Sequence, residues 1–351
     1  MKGFASTRGK VVSVAAATLA VVAPLGLTSL TSSASAATGS LTGAGSTLVA
    51  PLEAAWASAY QKSSGNSVSY SPVGSGTGIT DITHRSVDFG ASDAPLTPTQ
   101  AAACNGCVTI PWALTATGVG YNVPGVKGNL RLTGPVIAQI FLGQITTWNN
   151  SAIKKLNPGV KLPSTQITTV HRADGSGDTY AFVNYLDHVS SAASSKLGPA
   201  ATSVSWPGGV AETGNGGVVS EIKATPGAIG YAAVYYLISQ RVYAAAVKNT
   251  AGKYEYPNLN NIANAASTVK KVPASGVVPI VDPPKSAKIA YPISTFTYAV
   301  VPTSGNAQAS LLKSFINFDI TTGQSFGPKL DFVPLPKVVA KADKSLVGRL
   351  S

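Results

Sequence analysis

His171-Arg172-Ala173-Asp174-Gly175-Ser176-Gly177-Asp178-Thr179 is the stretch on which the reading of this 351-residue chain turns. It follows the β-branched run Ile167-Thr168-Thr169-Val170 and precedes Phe182, Val183 and Leu186, which fall on one side of a helical pattern. That order spells strand, tight polar turn, helix N-terminus. The first N–H groups of a helix have no partner within it and lie at the positive end of its dipole. Gly175 and Gly177 let the backbone come close to a ligand. Arg172 adds a planar fork suited to a tetrahedral oxyanion. The segment predicts an anion site; the bland alternative is a capped helix beside an incidental arginine.

Similar devices recur. Gly43-Ala44-Gly45-Ser46-Thr47 precedes Leu52, Ala55, Trp56, Ala59 and Tyr60, spaced at three and four as on one helix face. Gly74-Ser75-Gly76-Thr77-Gly78 follows the alternating run Ser67-Val68-Ser69-Tyr70 and leads to Ile79 and Ile82. A further segment, Val87 to Pro95, sets the acid Asp93 at the end of an apolar run. Elsewhere short β-branched runs alternate with helical stretches, as in a parallel α/β sheet. Leu132 to Leu142 and Ser151 to Leu156 read as helices, and Ala228 to Tyr231 and Thr295 to Val301 as strands. Ser190 to Ser205 reads as a variable surface segment, and Gly252 to Asn258 as a loop or hairpin.

GAGSTL at 43–48, GSGTG at 74–78, VDFGASDAPL at 87–96, HRADGSGDT at 171–179, GNGG at 214–217 and PGAIGY at 226–231 occur in this order. Together they resemble the phosphate-binding protein of the high-affinity phosphate ABC transporter, from about residue 40 to the Leu335-Pro336 region. The resemblance implies an α/β chain with the two-domain class II periplasmic-binding-protein fold, its ligand in the interdomain cleft. The segments crossing between domains map near Ala116 to Asn122 and Pro292 to Val301. One domain would then hold 38–117 plus 295–351, the other 118–294, and closure about the ligand would follow.

Carried over residue by residue, the family's phosphate contacts fall on Thr47, Leu48, Ser75, Asp93, Arg172, Ser176, Gly177 and Asp178. Thr47, Ser75 and Ser176 would donate hydroxyl and amide hydrogens, and Leu48 and Gly177 main-chain N–H groups. Arg172 would give paired charge-assisted bonds, braced by Asp174; the alternative for Asp174 is an ordinary turn aspartate. Asp93 would set the choice of anion. Phosphate near neutral pH keeps a hydroxyl that can donate to a carboxylate, whereas sulfate would set acceptor against acceptor in a desolvated site. The alternative for Asp93 is a helix cap. Leu48 stands where an aromatic residue is common. Asp178 stands where threonine is frequent, and two orientations stay open: turned away, or inward as a second acceptor for a phosphate proton.

The ends and composition bound the rest. Lys2, Arg8 and Lys10, the apolar stretch Val11 to Leu27 and Ala34-Ser35-Ala36 spell a secretory signal over residues 1–36, cleaved after Ala36. No cysteine lies near that point to take a lipid anchor, so a periplasmic or freely secreted protein is expected. In such a compartment Cys104 and Cys107 are expected to form a structural disulfide. Three of the 26 basic residues lie in the signal, leaving 23 against 14 acidic ones, or +9. That balance favours small anions, or anionic wall polymers, as partners. The charges are dispersed, which argues against nucleic acid.

No Gly-x-Ser-x-Gly elbow, P-loop or metal-ligand spacing of His84, His171 and His188 occurs. No catalytic residue, metal or cofactor is expected. The partners expected are inorganic phosphate and the permease and ATPase of an ABC transporter, with the chain a monomer. The rivals are a secreted scavenger of the same fold without a transporter, and a phosphomonoesterase using His171 as an acid.

Overall fold

The computed structural model describes residues 39–351, so the expected signal over 1–36 lies outside the described residues. One nine-stranded sheet organises the chain. Its order is Ser67–Ser71, Ser40–Gly45, Phe89–Ser92, Ser294–Pro302, Cys107–Tyr121, Ala228–Ala233, Thr168–Arg172 and Val210–Glu212, with Tyr243–Ala244 pairing beside Cys107–Tyr121. The 15-residue strand Cys107–Tyr121 spans the molecule. Up to Ala116 it pairs antiparallel with Ser294–Pro302, and from Thr117 onward with Ala228–Ala233. The change of partner marks the passage between two lobes, and the neighbouring strand enters there too, with Thr117 N–H donating to Ile293 O at 3.0 Å.

Each lobe has its own core. Trp56, Phe89, Trp112 and Phe315 centre the first, with Trp56 and Trp112 rings 5.3 Å apart. Phe141, Phe182 and Tyr231 centre the second, the last two stacked at 4.5 Å. Burying each such ring stabilises the fold by about 1.5–3 kcal/mol. Helix Ala50–Ser64 shows how sequence becomes packing: Pro51 suits its first turn, Gly65 at φ 77° ends it, and Leu52, Trp56 and Tyr60 form its buried face. Among the described residues no helix is long and apolar enough to cross a membrane.

Several expectations need correction, while the hairpin near Gly252 and the disulfide are as expected. The sheet is mixed: strand pairs within each lobe's outer part are parallel, but both crossing strands run antiparallel to their neighbours. Gly43 to Gly45 lie within the strand Ser40–Gly45, not in a turn. A Cβ at Gly45 would stand 2.0 Å from Ala91 O, so this glycine serves close strand packing. Arg131–Leu132 is a short strand paired with Ala246–Lys248, and the helix begins only at Gly134. Ser190 to Ser205 contains the helix Ser191–Leu197, with Ala193 and Leu197 buried. The hairpin near Gly252 forms from Ala246–Lys248 and Tyr254–Glu255. Cys104 and Cys107 are disulfide-bonded, linking the end of helix Pro98–Ala103 to the start of the long strand.

Candidate anion-binding site

On the first lobe, three segments converge where strands end. Strand Ser40–Gly45 delivers Ser46, Thr47 and Leu48 just before helix Ala50–Ser64. Gly74, at φ 94°, sets Ser75 as the first residue of helix Ser75–Thr83. Strand Phe89–Ser92 delivers Asp93. Asp93 caps no helix; it lies 2.7 Å through each carboxylate oxygen from Ser46 Oγ, with Ser75 Oγ at 3.4 Å from Oδ2. Leu48 N–H donates to Ser46 Oγ at 3.0 Å. Ser46, one residue before the expected contacts, is thus the hub of this half.

On the second lobe the strand runs to Arg172, two residues beyond Val170 where the β-branched run ends, and helix Gly177–Val189 follows. Ser176 is its N-cap, accepting from Thr179 N–H at 3.3 Å. Arg172 Nε donates to Asp174 Oδ1 at 2.7 Å, and its Nη2 pairs with Asp174 Oδ2. Nη1 reaches Asp178 Oδ2 at 3.3 Å. Asp178 points inward, 1% exposed, and accepts two further hydrogens: from Thr117 Oγ1 at 2.7 Å on Oδ1, and from Asn215 Nδ2 at 2.7 Å on Oδ2.

The two halves meet. Gly177 N–H donates to Ser75 Oγ at 3.1 Å, and Gly76 N–H to Gly175 O at 2.9 Å. A Cβ on Gly76 would lie 3.1 Å from Gly175 Cα, so this glycine pair lets backbone approach backbone across the cleft. Tyr236 OH donates to Thr47 O at 3.0 Å, and Asn215 Nδ2 to Thr47 Oγ1 at 2.9 Å. Thr47, Leu48, Ser75, Asp93, Arg172, Ser176, Gly177 and Asp178 are all buried, and Asp174 is half-buried. Every expected site residue therefore comes to one place. Ser46, Thr117, Asn215, Tyr231 and Tyr236 belong there too and were not among them. Tyr231 OH accepts from Arg172 N–H at 3.2 Å and lies 2.7 Å from Thr179 Oγ1.

One buried guanidinium pairs with half-buried Asp174 and buried Asp178, and a third carboxyl, buried Asp93, lies across the cleft. Burial opposes the Arg172 charge, but the Asp174 hydrogen bond and the Asp178 and Asp174 charges outweigh it and raise its pKa. Asp174, though partly desolvated, is lowered by its bonds to Arg172 and to Gly214 N–H. Burial raises Asp178 despite Arg172, Thr117 and Asn215. Burial first, then the Asp178 charge, pushes Asp93 up to about 7, against the pull of the Ser46 and Thr297 hydroxyls and Arg172. Asp178 touches the cation and Asp93 does not, so a proton entering the pair rests on Asp93. Among the described residues no group of three or more His, Cys, Asp or Glu is placed to hold a metal.

Comparison with known proteins gives the same frame. The PBP superfamily domain model matches residues 31–321. The Phosphate-binding protein PstS of Xylella fastidiosa (strain Temecula1) is 36% identical over 304 residues, covering 86% of this chain and 83% of that one. The Haemophilus influenzae protein of the same name is 34% identical, over 87% and 92% of the two chains. Among solved structures, a high affinity periplasmic phosphate-binding protein (PfluDING) bound with phosphate superposes with TM-score 0.71 at 21% identity, covering 87% of this chain and 93% of that one. A putative phosphate ABC transporter substrate-binding protein from Clostridium perfringens gives 0.62 at 23%, covering 85% and 100%. These two likenesses establish the two-domain periplasmic-binding-protein fold. With relatives above 30% identity along most of its length and the superfamily model spanning both lobes, the chain belongs to the PstS family of phosphate-binding proteins.

Proposed function

We propose that this chain binds inorganic phosphate outside the cytoplasm, as a monomer, and hands it to the permease of an ABC-type importer. One observation carries the reading: buried Arg172, clamped by Asp174 and Asp178, shares a desolvated cleft with Ser and Thr hydroxyls, helix-start N–H groups and the acceptor Asp93. Donors of that number suit an oxyanion, and an acid among them suits one that brings its own proton. Thr47, Ser75 and Ser176 donate hydroxyl and amide hydrogens, and Leu48, Gly177 and Asp178 main-chain N–H groups, those of Leu48 and Gly177 turning to the anion from Ser46 Oγ and Ser75 Oγ; Arg172 gives the charged bonds. The Asp178 carboxylate already takes hydrogens from Thr117, Asn215 and Arg172, so it serves as counter-charge to the arginine. The proton of phosphate is left to Asp93, which rejects sulfate.

The lobes close on the ligand, with boundaries we assign at 117/118 and 294/295; the first lies one residue past the change of partner between Ala116 and Thr117, and the second follows Ser294, the partner of Ala116. A phosphatase role for His171 is disfavoured by its packing: its ring stacks on Trp206 at 5.7 Å. Calorimetry of the refolded, anion-free protein should show one phosphate per chain. Arg172→Ala should weaken binding by about 2–5 kcal/mol, the cost of removing one member of a buried charge pair. Near-unchanged affinity would remove Arg172 from the site.

A further inference from the structure

Asn215 is fully buried at the start of helix Gly214–Ala224. The N-cap of this helix is Thr213 and Asn215 is its second residue, so the side-chain amide of Asn215 is not engaged in capping and is free to bond elsewhere. Oδ1 accepts from Ala233 N–H, on the neighbouring strand, at 2.6 Å. A backbone N–H can only donate, so this bond fixes the amide's orientation and sends both Nδ2 hydrogens the other way. One goes to Asp178 Oδ2 at 2.7 Å and one to Thr47 Oγ1, on the opposite lobe, at 2.9 Å. The preceding residue is engaged in parallel: Gly214 N–H donates to Asp174 Oδ1 at 3.0 Å. Two consecutive residues thus hold the two carboxylates that clamp Arg172.

The arrangement is a closed loop. Ala233 sits opposite Thr117 in the sheet, at the point where the long strand passes between lobes. Thr117 Oγ1 donates to the other oxygen of Asp178. Asp178 is therefore held from both sides by groups tied to the crossing point, and the amide that holds it also reaches across the cleft. We propose that Asn215 is a positioning residue of the anion site: its two amide hydrogens join the setting of the Asp178 carboxylate against Arg172 to the drawing-in of Thr47, making lobe closure and site assembly one event. The proposal rests on the phosphate reading above.

Asn215→Asp tests it, because its near-isosteric side chain keeps an acceptor for Ala233 and loses the donors. The charged or titratable groups around the replaced side chain are Asp178, Arg172 and Asp174, with Tyr231 and Tyr236 beyond and Asp93 across the cleft. At alkaline pH a new carboxylate would face Asp178, and phosphate affinity should fall at least about tenfold, or about 1.4 kcal/mol. As pH falls, the protonated acid offers an O–H in place of the amide N–H, and affinity should return towards the parent. Asn215→Ala, with no such group, should stay weak at every pH. Asn215→Asp tracking Asn215→Ala throughout, or both matching the parent, would overturn the proposal.

A second arm leaves the buried amide in place. Thr47→Val removes the acceptor across the cleft, whereas Thr47→Ser keeps it. At saturating phosphate Thr47→Val should remain more open by small-angle scattering; identical profiles for the two would also overturn the proposal. A parent chain that takes up no phosphate would instead sink the phosphate reading itself.

Discussion

Titrating sulfate into the parent chain and into Asp93→Asn, from pH 6 to pH 9 at constant ionic strength, isolates the role given to Asp93. Sulfate brings no proton, so it can occupy the site only when Asp93 carries one and donates it. Burial and the Asp178 charge put that protonation at about 7. The sign follows: an acid raised to about 7 is neutral below that pH and ionised above it, so sulfate binding must weaken as pH rises. The neutral fraction drops from about nine-tenths at pH 6 to about one-hundredth at pH 9, which is about a hundredfold in sulfate affinity, or about 2.7 kcal/mol. Phosphate retains a hydrogen for ionised Asp93 across this range and should lose far less, so selectivity widens with pH. Asp93→Asn offers an amide donor at every pH. Its sulfate affinity should be level and, at pH 9, well above that of the parent. Fixed ionic strength matters because salt screens long-range attraction of anions. Calorimetry is the assay. Level sulfate affinity in the parent, or continued sulfate rejection by Asp93→Asn, would refute the reasoning.

Glu53 and Asp343 are buried with both carboxyl oxygens unpartnered, and burial pushes each up to about 8. The folded chain thus holds protons that the unfolded chain releases, so stability should fall from about pH 4.5 through pH 8, read as Tm. Glu53→Gln should flatten that decline, also relieving Asp319, which burial and then Glu53 push up; a Tm level over this range would count against it. Breaking the disulfide with Cys104→Ser and Cys107→Ser should cost about 2 kcal/mol, the loop-closure value for so short a ring, and leave phosphate affinity unchanged. Free thiols in protein recovered from an oxidising compartment would contradict the clip.

The helix over 50–64, the strand and helix over 67–83 and the strand and helix over 167–189 were legible because apolar spacing alternates or repeats at three and four there, whereas the strand ending at Gly45 read as a turn. Strand direction was not, since local pattern says nothing of which neighbour a strand meets or which way it runs. Arg172, Asp93, Ser75 and Ser176 stood out because glycine and hydroxyl residues crowd around them. Asn215 lay in a quoted motif, but an asparagine between glycines reads as a turn, and its partners are 37 and 168 residues away. Thr117 was hidden in an apolar run for the same reason. Glu53 shows the opposite failure: polar on a helix whose neighbours are buried, it belongs by pattern to the surface yet lies in the core.

The place of Ser294–Pro302 in the sheet bears on how the chain reaches this state. It lies between Phe89–Ser92 and Cys107–Tyr121, so an interior strand of the first lobe is the last sheet strand to be made. A chain delivered N-terminus first, from a ribosome or through a narrow pore, cannot complete that lobe until some 300 residues have emerged. Until then Phe89–Ser92 and the first half of Cys107–Tyr121 present unpaired edges, open to wrong partners. The second lobe, by contrast, can assemble from what has already arrived. Folding should therefore be slow and two-staged, with the N-terminal third waiting on the C-terminal sixth. That delay makes the N-terminal third the part of the chain longest exposed to wrong pairing.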